Sequence, residues 1–94
     1  IKGKAIIPLE IAQEAIKSTF KRAVKEQINY VEILFHGGEP FMAFQHIKVI
    51  CEWLWQQAWP TKYICYATTN GTLIHGEIKD WLNENKEKFI VGLS

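Results

Sequence analysis

The first part of the chain carries the spacing of an amphipathic helix. Apolar residues recur at steps of three and four, and charged residues occupy most of the positions between them. The apolar positions are Ile11, Ala12, Ala15, Ile16, Phe20, Ala23 and Val24. Pro8 suits the start of a helix, and the acidic Glu10 in the first turn lies at the favourable end of the helix dipole. The pattern therefore predicts a helix that begins near Pro8.

Three short apolar runs further along the chain have the length and composition of β-strands. They span residues 31–36, 63–69 and 89–94. Helical spacing returns between them. The two helical stretches span residues 44–58 and about 74–86. Pro60 stops the first of these, because proline lacks the backbone N–H that a helix needs.

The predicted order of elements is α-β-α-β-α-β, which places the chain in the α/β class. Strands separated by whole helices run parallel, joined by right-handed crossovers. The nearly continuous apolar strands are typical of a sheet that is covered on both faces. With 94 residues the chain is too short for a complete α/β barrel. We therefore expect a slice of a partial (β/α) TIM-like barrel, with a small open sheet as the alternative architecture.

The polar, turn-rich points of the chain follow directly after the predicted strands. Gly37, Gly38, Glu39 and Pro40 follow the first strand, the segment of residues 69–72 ends the second, and Ser94 ends the third. Ligands of parallel α/β sheets bind at the carboxyl ends of the strands. The sequence therefore predicts a binding site built from these three segments.

The Gly37-Gly38-Glu39-Pro40 turn has the chemistry of an ammonium site. The glycines allow a ligand to approach the backbone closely, and Pro40 favours an extended conformation for Glu39. Backbone carbonyls beside a carboxylate suit a cation, whereas a phosphate needs N–H donors at a helix start. From these four residues alone, an ordinary strand-to-helix turn with a solvated Glu39 stays open.

Three segments together resemble the core of the radical S-adenosylmethionine (radical SAM) superfamily. They read VEILFHGGEPFM, ATTNGTLI and FIVGLS. The anaerobic sulfatase-maturating enzymes and related peptide-modifying members are the most similar branch. The resemblance implies that Gly37, Gly38, Glu39 and Pro40 bind the methionine ammonium of S-adenosylmethionine and that Ser94 contacts its ribose. Asn70, in the TNGT-like segment, is a further candidate contact, although a turn-forming role explains it as simply.

The resemblance also implies a chemistry that this chain cannot perform by itself. Such enzymes bind a four-iron–four-sulfur cluster through a CxxxCxxC loop, and no such loop precedes the first helix here. The aspartate that the family carries after Ser94 is absent as well. We therefore expect residues 1–94 to be one partial domain that lacks the first strand and the cysteine loop, and to be inactive alone. The parent enzyme would cleave S-adenosylmethionine reductively and abstract hydrogen, and its substrate would be a peptide or protein.

Composition narrows the possible partners further. The net charge of +1 gives no electrostatic reason to expect nucleic acid or an anionic membrane. No apolar run reaches the roughly 20 residues that cross a bilayer. Cys51 and Cys65 are too few and too far apart for a disulfide framework or a cluster site, which favours a reduced, cytoplasmic protein. The three histidines lack metal-ligand spacing, so we expect no metal site within the chain.

A second class of function stays open beside the enzyme. In a non-catalytic α/β module for protein interaction or regulation, the GGEP turn would be structural. Its binding surface would be formed by Trp53, Trp55 and Trp59, which in the barrel reading pack against neighbouring elements. An isolated slice of a barrel would also expose unpaired sheet edges. We therefore expect the chain to self-associate, and a clean monomer in light scattering would count against this.

Overall fold

The computed structural model describes residues 8–35 and 40–93, with Met42 described in its backbone only. Helices and strands alternate along the chain, as the hydrophobic pattern predicts. The elements are α1 (Leu9–Lys25), β1 (Tyr30–Phe35), a short 3-10 helix (Pro40–Ala43), α2 (Phe44–Trp55), β2 (Lys62–Thr69), α3 (Gly76–Glu84) and β3 (Phe89–Leu93). The α/β class is confirmed, and the 3-10 helix is an addition that the spacing did not indicate.

The three strands form one parallel sheet in the order β1-β2-β3. Ile33 of β1 pairs with Cys65 of β2, which pairs in turn with Phe89 of β3. All three residues are buried, at 8%, 0% and 2% exposure. The central row of the sheet therefore belongs to the hydrophobic core, with α1, α2 and α3 contributing the rest of that core.

The helices cover only one face of the sheet within the described residues. The next row, Leu34-Tyr66-Ile90, points the other way because side chains alternate along a strand. Leu34 and Ile90 are 45% and 48% exposed. We call this side the open face; it carries Tyr30, Glu32, Leu34, Lys62, Ile64, Tyr66, Thr68, Ile90 and Gly92. The expectation of a sheet covered on both faces is wrong for the described chain.

The buried side of α1 is narrower than its apolar stripe. Ile16, Phe20 and Ala23 are buried, whereas Ile11 and Val24 of the same predicted stripe are 58% and 54% exposed. The helix contacts β1 and α2, and the residues at the margins of its stripe remain outside the core.

The second helix is shorter than its spacing predicts. It ends at Trp55, and Ala58 is exposed beyond it. The side chains of Gln57 and Trp59 explain the early end, since they donate hydrogen bonds to the carbonyls of Trp53 (3.2 Å) and Leu54 (2.8 Å). These bonds satisfy carbonyl groups that a continuing helix would have used.

The third helix is also shorter than the predicted stretch of residues 74–86. It begins at Gly76, which has a φ of +56°, and ends at Glu84. The side-chain amide of Asn85 donates a hydrogen bond of 2.8 Å to the Trp81 carbonyl and so closes the last turn. None of the helices in the part of the chain that the structure describes has the length and apolar character to span a membrane.

Candidate functional site

The three strands end at the same edge of the sheet, because they run parallel and neighbour one another in sequence order. Their last residues are Phe35, Thr69 and Leu93. We call this side the carboxyl edge. Thr69 pairs with Leu93 in the last row of the ladder, so the turn that follows β2 lies directly beside the end of β3. The predicted site segments therefore leave the sheet from one common edge.

Only two of the predicted site residues fall within the described part of the chain. Gly37, Gly38, Glu39 and Ser94 lie outside it, as does His36. Pro40 and Asn70 lie inside it. Chain connectivity alone places the other residues next to β1 and β3.

Pro40 is buried and opens the 3-10 helix that follows the first strand. Its neighbour Phe41 is 2% exposed and packs its ring 6.1 Å from that of Phe89, and Phe35 stacks on Phe89 at 5.8 Å. The last residue of β1 and the start of the 3-10 helix therefore both contact β3.

Asn70 forms the turn after β2 with its own side chain. Its Oδ1 atom accepts hydrogen bonds from the backbone N–H of Thr72 (2.9 Å) and from the Thr72 hydroxyl (2.8 Å). Gly71 between them has a φ of +88°, a conformation that suits glycine. A side chain at Gly71 would lie 3.2 Å from Leu93. The turn thus has a structural role and brings the ends of β2 and β3 together.

Thr69 supplies the one buried polar side chain among the described residues, with 2% exposure. Its hydroxyl accepts a hydrogen bond of 3.1 Å from the backbone N–H of Gly71. An unpaired hydroxyl inside a core would be costly, and this bond offsets the cost. The buried Thr69 side chain therefore stabilises the turn that follows β2.

Two polar residues of the open face at this edge were missed by the sequence reasoning. They are Tyr66 and Thr68, which alternate with the buried Cys65 and Ala67 along β2. Thr68 pairs with Gly92 of β3. A Cβ atom on Gly92 would overlap the Tyr66 hydroxyl and lie 3.0 Å from its Cζ atom, so the Tyr66 ring leans across β3. The alternation of buried and more exposed residues along β2 was the sequence signal that could have placed Tyr66 and Thr68 on the open face.

The two cysteines do not contribute to this edge. Cys51 of α2 and Cys65 of β2 are free thiols, both fully buried on the helix side of the sheet. A hydrogen bond with the Cys65 thiol and burial raise the pKa of the Cys51 thiol far above its ordinary value. Two thiols buried in the core cannot supply the four ligands that an iron–sulfur cluster needs, so this pair does not fit one.

The other residue types that ligate metals do not come together in the described structure either. Across residues 8–35 and 40–93, no three His, Cys, Asp or Glu side chains come together in a group that could hold a metal ion.

The tryptophans pack against other rings. Trp59 stacks on Phe20 at 4.4 Å, Trp53 meets Trp59 edge-on at 5.7 Å, and Trp55 stacks on Trp81 at 5.5 Å. The packing role expected in the barrel interpretation therefore accounts for these rings.

An open depression of about 490 Å³ lies at the opposite, amino-terminal end of the sheet. Its lining consists of Tyr30, Trp59, Pro60, Thr61, Lys62 and Tyr63. Parallel α/β proteins bind their ligands at the carboxyl ends of the strands, and the amino-terminal end serves stability. The Trp59 indole N–H is already bonded to Leu54. We therefore assign this depression to packing and place the candidate site at the carboxyl edge.

Comparison with known proteins adds no assignment. No protein-family model matches the chain, and no curated protein sequence matches it significantly. The comparisons therefore assign the chain to no family.

Proposed function

We propose that this chain is part of the core domain of a radical SAM enzyme. The observation that carries the proposal is that β1, β2 and β3 end at the same edge of the sheet. The segments that resemble the superfamily's cofactor-binding turns follow β1, β2 and β3, which are consecutive parallel strands. In the superfamily these segments surround S-adenosylmethionine.

The winding of the chain is compatible with a barrel slice. The helices that connect successive strands, α2 and α3, both pack on the face opposite to the row Leu34-Tyr66-Ile90. A barrel places all its helices on one side of the sheet. Successive strands in one half of a doubly wound sheet do the same, because right-handed crossovers in one direction put their helices on the same face. In this proposal the open face is the barrel interior. Its exposed apolar residues are then covered by the rest of the parent protein.

The residues at the carboxyl edge suit S-adenosylmethionine. Glu39 and the carbonyls of the Gly37-Gly38 turn would bind the methionine ammonium, and Ser94 would contact the ribose. Asn70 shapes the neighbouring turn through its bonds to Thr72. Beside a reduced cluster of the parent protein, the cofactor would supply the radical chemistry for hydrogen abstraction from the substrate. The chain's own part is to bind and orient the cofactor and to exclude water.

The iron–sulfur cluster has no ligands in this chain. Cys51 and Cys65 lie in the core, on the helix side of the sheet, and do not fit the role. The proposal therefore assigns the cluster to cysteines of the parent protein outside residues 1–94. A peptide or protein substrate follows from closeness to the sulfatase-maturating branch. A cytoplasmic location fits the two reduced thiols.

The deciding experiment uses the natural full-length protein that contains this sequence, purified without oxygen and reconstituted with iron and sulfide. We expect a cluster whose absorption spectrum changes when S-adenosylmethionine is added. We expect Glu39→Ala to weaken binding about 10- to 100-fold, the effect of losing a charged hydrogen bond. Glu84→Ala is the matched control, because Glu84 ends α3 just ahead of β3, at the opposite end of the sheet, and is exposed.

A non-catalytic interaction module is the second candidate, and one observation favours it. Leu34 and Ile90 expose large apolar side chains on the open face. Exposed apolar surface of this kind marks interaction sites in many soluble proteins. This candidate predicts no cluster and no binding of S-adenosylmethionine. That result in the full-length protein would overturn the enzyme proposal.

A further inference from the structure

We draw no further inference here: the strongest candidate, the exposed apolar patch that Leu34 and Ile90 form on the open face of the sheet, carries none because nothing in the described part of the chain shows what covers it.

Discussion

The ring of Phe20 in α1 stacks on the ring of Trp59, with centroids 4.4 Å apart and planes 17° from parallel. Trp59 lies in the loop between α2 and β2. The Phe20–Trp59 contact therefore connects the first helix to the loop that precedes the central strand. Tyr63 of β2 meets the same phenylalanine edge-on at 5.5 Å. One side chain of α1 thus holds the start of β2 in place.

Replacing Phe20 by leucine tests this junction. Phe20→Leu keeps an apolar side chain but loses both aromatic contacts, and we expect the free energy of unfolding to fall by about 1–3 kcal/mol. Urea denaturation measures the change. Val24→Ala on the same helix is the control, since Val24 is 54% exposed, and should change stability by less than about 0.5 kcal/mol. Equal losses in the two variants would show that Phe20 has no special role.

Trp55 and Trp59 differ in the state of their indole N–H groups. That of Trp59 donates a hydrogen bond of 2.8 Å to the Leu54 carbonyl. That of Trp55 is buried without a hydrogen-bond partner in the described structure. Both rings pack against another aromatic ring, so phenylalanine can replace part of either contact.

The two Trp→Phe variants should therefore differ in stability. Trp59→Phe loses a hydrogen bond, which costs about 0.5–1.5 kcal/mol beyond the lost ring area, although the Leu54 carbonyl keeps its bond from the backbone N–H of Gln57. Trp55→Phe removes an unsatisfied donor, and this gain offsets part of its lost packing. Thermal unfolding of both variants under the same conditions measures the difference. A larger loss in Trp55→Phe would contradict the assignment of the two N–H groups.

The Cys51 thiol should make stability depend on pH in alkaline solution. The hydrogen bond with Cys65 and burial raise the pKa of Cys51 above its ordinary value of 9.0 in the folded chain. The unfolded thiol loses its proton near that pH, while the folded one keeps it. The unfolded state then binds fewer protons, so the stability contributed by this group is complete below about pH 9 and lost above it.

The wild type should therefore lose more stability than Cys51→Ala as the pH rises from 9 to 10. The expected difference is about 1 kcal/mol, close to the limit for one group per pH unit. Urea unfolding with a reductant at pH 8, 9 and 10 gives the two slopes. Tyr63 adds to the alkaline loss in both proteins, because burial is the largest cause of its raised pKa and Cys51 only the smallest. Identical slopes would mean that Cys51 ionises in the folded chain.

The sequence pattern was sufficient for the order of elements and for the parallel sheet. The helical spacing around Phe20 and the short strands around Ile33 and Cys65 are set by local periodicity, and a crossover helix forces its strands to run parallel. The ends of the helices were less predictable. They depend on local side-chain bonds such as Trp59 to Leu54, which the spacing of apolar residues does not reveal.

The sequence pattern did not predict which face of the sheet the helices cover. Apolar strands predicted cover on both sides, yet Leu34 and Ile90 are exposed because both crossover helices pack on the other face. The side on which a helix packs is a property of topology, and composition does not reveal it. The candidate site was predictable as an edge from the motifs. Tyr66 was not, since its reach towards that edge depends on Gly92 in a strand that lies far away in sequence.

The contact between Tyr66 and Gly92 can be measured without any ligand. A Cβ atom at Gly92 would overlap the Tyr66 hydroxyl and lie 3.0 Å from Cζ, so Gly92→Ala forces the ring to move. We expect Gly92→Ala to lower the free energy of unfolding by about 1–3 kcal/mol, the usual effect of overpacking. Tyr66→Phe removes the atom that overlaps most. It should be nearly neutral alone and should recover part of the loss when combined with Gly92→Ala.

A double-mutant cycle over these two positions gives the coupling energy directly. We expect at least 0.5 kcal/mol in favour of the double variant, a value typical of side chains in contact. Thr68→Ala with Gly92→Ala is the comparison, because Thr68 pairs with Gly92 in the ladder and is not among the atoms that a Cβ there would meet. Additive effects for Tyr66 and Gly92 would mean that the ring does not lie over the glycine. Coupling confined to that pair would fix the hydroxyl above β3.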